Sequence, residues 1–378
     1  MKLIIEPADG VAPLLAAIKN AKKSVDIAIF RFDRKDMEKA LKAAAEKGVR
    51  VTALIAYANR GGEKSLRKLE LRFLEAGIIV ARSADDLVRY HDKFILIDRR
   101  FLYVLSFNFT HLDIDHSRGF GIMTRNVNWV HEAVKLFRAD CTRTTYAPST
   151  ETFVVSPANS RKSLGSFLRR AKKQLLIYDP KIADREMLRI LQDRAKAGVE
   201  IRVIGKVAGR AKFTSQKLDG TRLHTRTIIR DRHQAFVGSQ SLREAELDSR
   251  RELGLIIQDA KAVKKLIETF ETDWTSSDAA KEQPPPKEKE VLAEASPTAV
   301  EAETAKAAQA FERELDPLAS SVKKAVRKAV AKAGEEVLND KGVKDTVKKV
   351  VKKAMKQAVK EAVEESKQAK EANEAKEA

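Results

Sequence analysis

The first 277 residues of this chain repeat, and that limits what it can fold into. Residues 3–51 match residues 153–201 at a constant offset of 150. Pro7-Ala8 falls on Pro157-Ala158, Ala21-Lys22-Lys23 on Ala171-Lys172-Lys173, Met37 on Met187, Leu41 on Leu191, and Gly48-Val49 on Gly198-Val199. Farther on the offset drops to 133 and again holds, so that Phe137, Asp140 and Thr142 match Phe270, Asp273 and Thr275. The second copy therefore lacks 17 residues after its third strand. Two long copies of one pattern imply two lobes of like fold, related by a pseudo-twofold axis.

Each copy reads as strand, helix, strand, helix, strand. In the first, "VDIAIF" is the continuous apolar run of a strand buried on both faces, "RKDMEKALKAAAEKG" has helical period and a terminal glycine, and "VRVTALIA" is the next strand. Strands alternating with helices predict α/β lobes with mostly parallel sheets flanked by helices, one over residues 1–145 and one over 146–277. After "FETDWTSSDAAKEQPPPKEKE" the composition changes. Three consecutive prolines mark a Pro/Ala/Glu-rich linker over 278–318, and a Lys/Ala-rich helical tail is expected over 319–378. Val322, Val326 and Val330, then Val347, Val351, Met355, Val359 and Val363, recur every fourth residue. That stripe suits pairing with another helix, or a solvated helix, better than contact with a membrane.

The repeat also tests "YHDKFILIDRR", where His91 and Lys93 precede four apolar residues and Asp98. A buried strand with ordinary polar ends would explain one such stretch. At offset 133, however, "RLHTRTIIRD" places His224, Arg226 and Asp231 in the same frame. A His-x-cation-x4-Asp pattern kept in both halves of a chain with six histidines points to chemistry. Residues two apart on a strand share a face, so each histidine and its cation project together, while the apolar run anchors the strand.

In these residues the chain resembles the phospholipase D superfamily, whose motif is His-x-Lys-x4-Asp followed by Gly-Ser-x-Asn. "HDKFILIDRRFLYVLSFN" keeps Ser106 and Asn108 with Leu105 in the glycine position. "HTRTIIRDRHQAFVGSQS" keeps Gly238 and Ser239, with Arg226 for lysine and Ser241 for asparagine. The resemblance implies two motif halves meeting at one phosphate. One neutral imidazole, with His91 favoured, attacks phosphorus to form a phosphohistidine, and the other protonates the leaving alcohol. It further implies that Lys93 and Arg226 offset the phosphate charge and that Ser106, Asn108 and Ser239 contact it. An acid after the motif, Glu252, would orient His224. The first half has Gly119 there, with Asp115 as a stand-in. Asp98 and Asp231 complete the motif and read as more structural than chemical. No metal or cofactor is implied.

Charge narrows the partners. Of the formal +19, residues 1–277 carry +18, from 52 basic and 34 acidic side chains. Such a body attracts nucleic acid or an anionic membrane surface. A single cysteine, Cys141, excludes an intramolecular disulfide or a cysteine-cluster metal site. No apolar run approaches the roughly 18–20 residues of a spanning helix, and "MKLIIEPADG" does not read as a secretory signal. The expected location is cytoplasmic, including the periphery of a membrane. The expected function is a phospholipase D-type phosphoric diester hydrolase acting on phospholipid head groups by hydrolysis or transfer. A non-specific nuclease of the same chemistry is the second reading, and a catalytically impaired phosphate-binding module the third. Arg60, Lys206 and Arg210, in glycine-containing stretches after strands, are candidate phosphate contacts at the rim.

Overall fold

The computed structural model describes residues 1–58, 62–209 and 213–282, with side chains to residue 277. Arg60, Arg210, the expected tail and the expected linker beyond Glu282 lie outside the described residues. Both repeats belong to one compact unit, Met1–Pro285.

Each repeat builds one sheet. The first runs Lys2–Glu6, Ser117–Thr124, Phe101–Leu105, Phe94–Ile97, Ser24–Ile29, Arg50–Ile55, Ile79–Arg82. The second runs Thr214–Gln216, Glu200–Val207, Gln174–Ile182, Arg226–Arg230, Gln234–Gly238, Arg250–Ile257, with Phe153–Ser156 also paired to Arg250–Ile257. The two-lobed α/β architecture is as expected, but the sheets are mixed rather than mostly parallel. Parallel pairs join Ser24–Ile29, Arg50–Ile55 and Ile79–Arg82, and likewise Gln174–Ile182, Glu200–Val207 and Thr214–Gln216. The motif strands pair antiparallel on both sides. The physical reason is connection length. Each motif strand is joined to the next by a tight turn, and only antiparallel neighbours can be joined that way.

Local chemistry explains the elements. Helix Lys35–Glu46 buries Met37, Leu41 and Ala44, and helix Arg185–Lys196 buries Met187, Ile190 and Leu191, one stripe each against its sheet. Gly48 and Gly198 follow them at φ of 82° and 85°, a left-handed exit that costs glycine little. The motif strand Phe94–Ile97 is buried throughout because its faces meet different cores. Phe94 and Leu96 join a core that contains residues of both repeats and of helices Val127–Thr142 and Ala260–Glu282, while Ile95 and Ile97 join the first repeat's own core. Full burial of such a side chain is worth about 1.5–3 kcal/mol.

Asp98 and Asp231 sit in the turns at the far ends of these strands, with φ of 53° and 51°, each followed by another left-handed residue. That geometry suits the twist of a tight hairpin. The Asp98 carboxylate accepts from the backbone N–H of Lys22, Lys23 and Ser24 at 2.6–3.1 Å, and Asp231 accepts from Lys172, Lys173 and Gln174 at 2.7–3.1 Å. Burial works against both carboxylates, yet these amide bonds outweigh it and hold each below the ordinary range.

The lobes are tied by reciprocal strand exchange. Arg89–Tyr90, just before His91, pairs in parallel with Arg250-Arg251 of the second sheet. Arg222–Leu223, just before His224, pairs in parallel with Ser117-Arg118 of the first. The backbone N–H of His91 donates to the Arg251 carbonyl at 2.7 Å, and that of His224 to the Arg118 carbonyl at 3.2 Å. The same two arginines reach across the interface. Arg118 makes a two-pronged contact with Asp273 at 2.8 and 2.9 Å and donates to the Glu6 carbonyl. Arg251 lies 3.0 Å from Asp140 and donates to the Ser156 carbonyl.

Removing one partner of a buried pair leaves the other charge desolvated. Arg118→Met should therefore lower unfolding stability by about 3 kcal/mol. Arg118→Met with Asp273→Leu should recover more than half of that. Chemical denaturation of the two variants checks this, and equal losses would show that the pair itself contributes little.

Candidate active site

His91 and Lys93 lie at the start of one motif strand and His224 and Arg226 at the start of the other, each pair beside the strand exchanged with the opposite lobe. The two cations are held alike. Lys93 Nζ donates to the His91 carbonyl and Arg226 Nη1 to the His224 carbonyl. Arg226 Nε also donates to Ser241 Oγ at 3.3 Å. Both cations act on both imidazoles, which places the four groups in one electrostatic cluster.

The histidines differ in what holds their rings. His91 Nδ1 lies 2.9 Å from both carboxylate oxygens of Glu252, so its Nε2 is directed away from that acid. Phe30 packs edge-on against the same ring at 4.5 Å. Glu252 thus serves the histidine of the opposite lobe and not His224, as the sequence spacing had suggested. The strand exchange is the cause, because it seats His91 directly on Arg250–Ile257. His224 Nδ1 is buried with no hydrogen-bond partner, and its Nε2 faces Asp113 Oδ2 at 3.6 Å.

Asp115 is not the stand-in acid. It binds Arg34 at 2.6 and 2.8 Å and His111 at 3.0 Å, on the outer side of its short helix. Asp113, two residues and so about half a helical turn away, is the acid that faces inward. Its Oδ2 accepts from the backbone N–H and the side-chain Nδ2 of Asn108 at 2.9 and 2.6 Å, and its Oδ1 accepts from Arg222 Nη1 at 2.7 Å. A sequence signal for it existed: at offset 133 Asp113 falls on Glu246, another buried acid in the matching short helix.

The three expected phosphate contacts, Ser106, Asn108 and Ser239, each make a hydrogen bond within the protein. Ser106 and Ser239 are fully buried, and their hydroxyls accept the backbone N–H of Phe120 at 2.9 Å and Leu253 at 3.2 Å. Each thereby ties its own strand to the adjacent one. Asn108 Nδ2 donates to Asp113, and its Oδ1 is buried without a hydrogen-bond partner. Asp98 and Asp231 stand about seven residues along the strand from their histidines, roughly 20 Å away, and take no part in the cluster. Lys206 is exposed on Glu200–Val207.

Electrostatics set the protonation states. Burial, reinforced by Lys93, Arg226, Arg250 and Arg89, pushes the His91 imidazole well below its ordinary value and favours the neutral ring. Burial lowers the Lys93 ammonium to about 7 and raises the Glu252 carboxyl to about 7, so these neighbours titrate near neutrality. A neutral imidazole with Nδ1–H on a carboxylate and a free Nε2 is a nucleophile, and clustered cations invite a phosphate.

The family model described as "Cardiolipin synthase, PLD-like domain" matches residues 14–141 and 164–274. Among solved structures, polyphosphate kinase from Porphyromonas gingivalis is 22% identical with a TM-score of 0.60, the match covering 72% of this chain and 50% of that one. The chain thus spans half the length of that kinase. Phosphatidylserine synthase from Haemophilus influenzae Rd KW20 is 10% identical with a TM-score of 0.55, covering 73% of this chain and 86% of that one. Nuc, a phospholipase D family member from Salmonella typhimurium, is 23% identical with a TM-score of 0.35, covering 38% of this chain and 95% of that one. No curated protein matches the chain.

In a titration of the 13C-labelled lysine side chains, one ε-methylene resonance should move with a midpoint about pH 7. It should vanish in Lys93→Arg, while exposed lysines titrate near 10.4. Absence of a neutral-range lysine would mean that Lys93 is better solvated than its surroundings imply.

Proposed function

We propose that this chain, which belongs to the cardiolipin synthase, PLD-like domain family, cleaves phosphodiesters by transferring the phosphoryl group through His91. The observation that carries the reading is the Glu252 carboxylate on His91 Nδ1, in a cluster where Lys93 and Arg226 act on both this imidazole and that of His224. His91 Nε2 attacks phosphorus, forming a P–N bond as the P–O bond to the leaving alcohol breaks. The proton required by that alkoxide comes from the protonated His224. Glu252 accepts the Nδ1–H throughout and offsets the charge of the phosphoimidazole. Lys93 and Arg226 face the non-bridging oxygens; arginine is able to contact two of them at once. In the second half a water or an acceptor alcohol gives its proton to His224 and attacks phosphorus, and the P–N bond breaks. Water yields hydrolysis and an alcohol yields transfer.

Phospholipid head groups are the favoured substrate, on the description of the matching family, and contact with an anionic membrane surface would be peripheral. No helix among the described residues is long and apolar enough to cross a membrane. The net +18 on residues 1–277 supports a second reading, in which the diester is a nucleic-acid backbone.

Fluorescent phosphatidylcholine, phosphatidylglycerol and a plasmid are incubated in EDTA with the protein and with His91→Ala. Lipid product that falls more than about 10³-fold in His91→Ala, with an acid-labile phosphoprotein formed only by the unmodified chain, is the expected result. Plasmid cleavage alone would favour the second reading. Equal activity in both proteins would overturn the assignment of His91.

A further inference from the structure

The two repeats have exchanged the means by which they hold a histidine, and comparing them position by position shows how. In the second repeat Glu252 stands on Arg250–Ile257 and binds His91, while the acid of the short helix, Glu246, is occupied by Arg243 and by Arg250, the latter at 2.7 Å. In the first repeat three of these positions change together. Gly119 replaces Glu252, Thr110 replaces Arg243, and Ser117 replaces Arg250. The space of the missing acid is filled, since a Cβ at position 119 would lie 2.8 Å from Phe107 Cδ1. The two cations that would occupy the helix acid are gone, and Thr110 instead caps that helix by accepting from the Asp113 N–H. Asp113 is left with one oxygen on Arg222 and the other toward Asn108 and His224.

We infer that Asp113 is the positioning residue for His224, replacing the carboxylate absent at Gly119, and that it biases this histidine toward the protonated, proton-donating role. The inference rests on the phosphodiester reading above for its catalytic consequence, but not for the ring geometry. His224 is 7% exposed, and its charged neighbours are Asp113, Arg226, Arg222 and Lys93. Burial and the three cations push the imidazole well below its ordinary value, and Asp113 opposes them. A phosphodiester entering the cluster adds negative charge near both rings. As that charge arrives His224 takes a proton from solvent on Nδ1, which has no partner, while its Nε2–H faces Asp113; the imidazolium then gives one proton to the leaving oxygen and returns to the neutral ring. His91 keeps its lone pair because burial and the cations Lys93, Arg226, Arg250 and Arg89 oppose its protonation.

The test is Asp113→Asn, which keeps the shape and the Arg222-facing oxygen but removes the charge. Ring resonances of 13C-labelled histidine are titrated in the full chain and in the variant, with His224→Ala identifying the signal. The His224 midpoint should fall in Asp113→Asn while that of His91 stays in place; an unchanged His224 midpoint overturns the inference whether or not any substrate is cleaved. Two esters then read the consequence. A nitrophenolate leaves without a proton and a choline alkoxide does not. Turnover of phosphatidylcholine should drop about 10- to 100-fold, a range that general acid catalysis commonly supplies, and bis(4-nitrophenyl) phosphate should change less than about threefold. Because the substitution makes imidazolium harder to form, the basic limb of kcat/KM for phosphatidylcholine should move to lower pH. Equal losses on both esters with an unmoved limb would mean that Asp113 only supports the fold. If the unmodified chain cleaves neither ester, the proposed function fails, and the ring titration still decides the role of Asp113.

Discussion

Everything in the cleft depends on the exchange of two short strands. Arg89–Tyr90 and Arg222–Leu223 each leave their own lobe to pair with the other's sheet, and the next residue in each case is the motif histidine. The imidazoles are therefore positioned by backbone hydrogen bonds to the opposite lobe, at a point where a loop would leave them loose. Arg118 and Arg251 then lock the same junctions, each offering its carbonyl to a histidine N–H and its guanidinium to an aspartate across the interface. Neither lobe contains a finished site. A separation of the lobes would break the seat of both histidines at once, so stability of the interface and integrity of the cleft are one property.

That arrangement explains how so many charges tolerate burial. Lys93, Glu252 and both histidines are at most 7% exposed. An isolated ion moved from water to such a place would neutralise instead. Here desolvation outweighs the attraction of opposite charges and brings lysine down and glutamate up to the same neutral range, while burial and neighbouring cations together leave His91 uncharged. The poise belongs to the group as a whole. An incoming phosphate anion would find cations already stripped of much of their water, and would therefore meet little reorganisation.

The parts legible in the sequence were those with short-range or repeated signals. The offset of 150 marked Ala21-Lys22-Lys23 and Ala171-Lys172-Lys173 before any reason for them was apparent; their backbone amides hold Asp98 and Asp231. Asp140 and Asp273, matched at offset 133, are the cross-lobe partners of Arg251 and Arg118. Met37, Leu41, Met187 and Leu191 lie in the core that helical spacing assigned to them. What spacing could not convey was partnership across the twofold. Counting from His224 leads to Glu252, yet 161 residues separate Glu252 from the ring it holds. Counting from Gly119 suggested Asp115 because it is near and acidic, but a five-residue helix turns Asp115 outward to Arg34 and Asp113 inward. Ser106 and Ser239 each accept a backbone N–H from an adjacent strand, a bond that spacing along the chain does not show.

A pseudo-symmetric fold need not carry a symmetric reaction. Attack on phosphorus requires an unprotonated nitrogen, and departure of an alkoxide requires a protonated one, so two histidines with identical surroundings would compete for one proton. The differences between the repeats are of the kind that removes this competition. Phe30 has no aromatic counterpart, since Pro180 occupies its place at offset 150, and it packs edge-on against the His91 ring. Glu252 has no counterpart at Gly119, and the two arginines that occupy Glu246 have none around Asp113. Each change is local, but all act on one or other ring while the shared frame of strands, turns and ion pairs remains the same in both lobes. Divergence at the supports of the two imidazoles, within lobes that share the strand exchange and the turn aspartates, is what separate roles for two otherwise equivalent groups would produce.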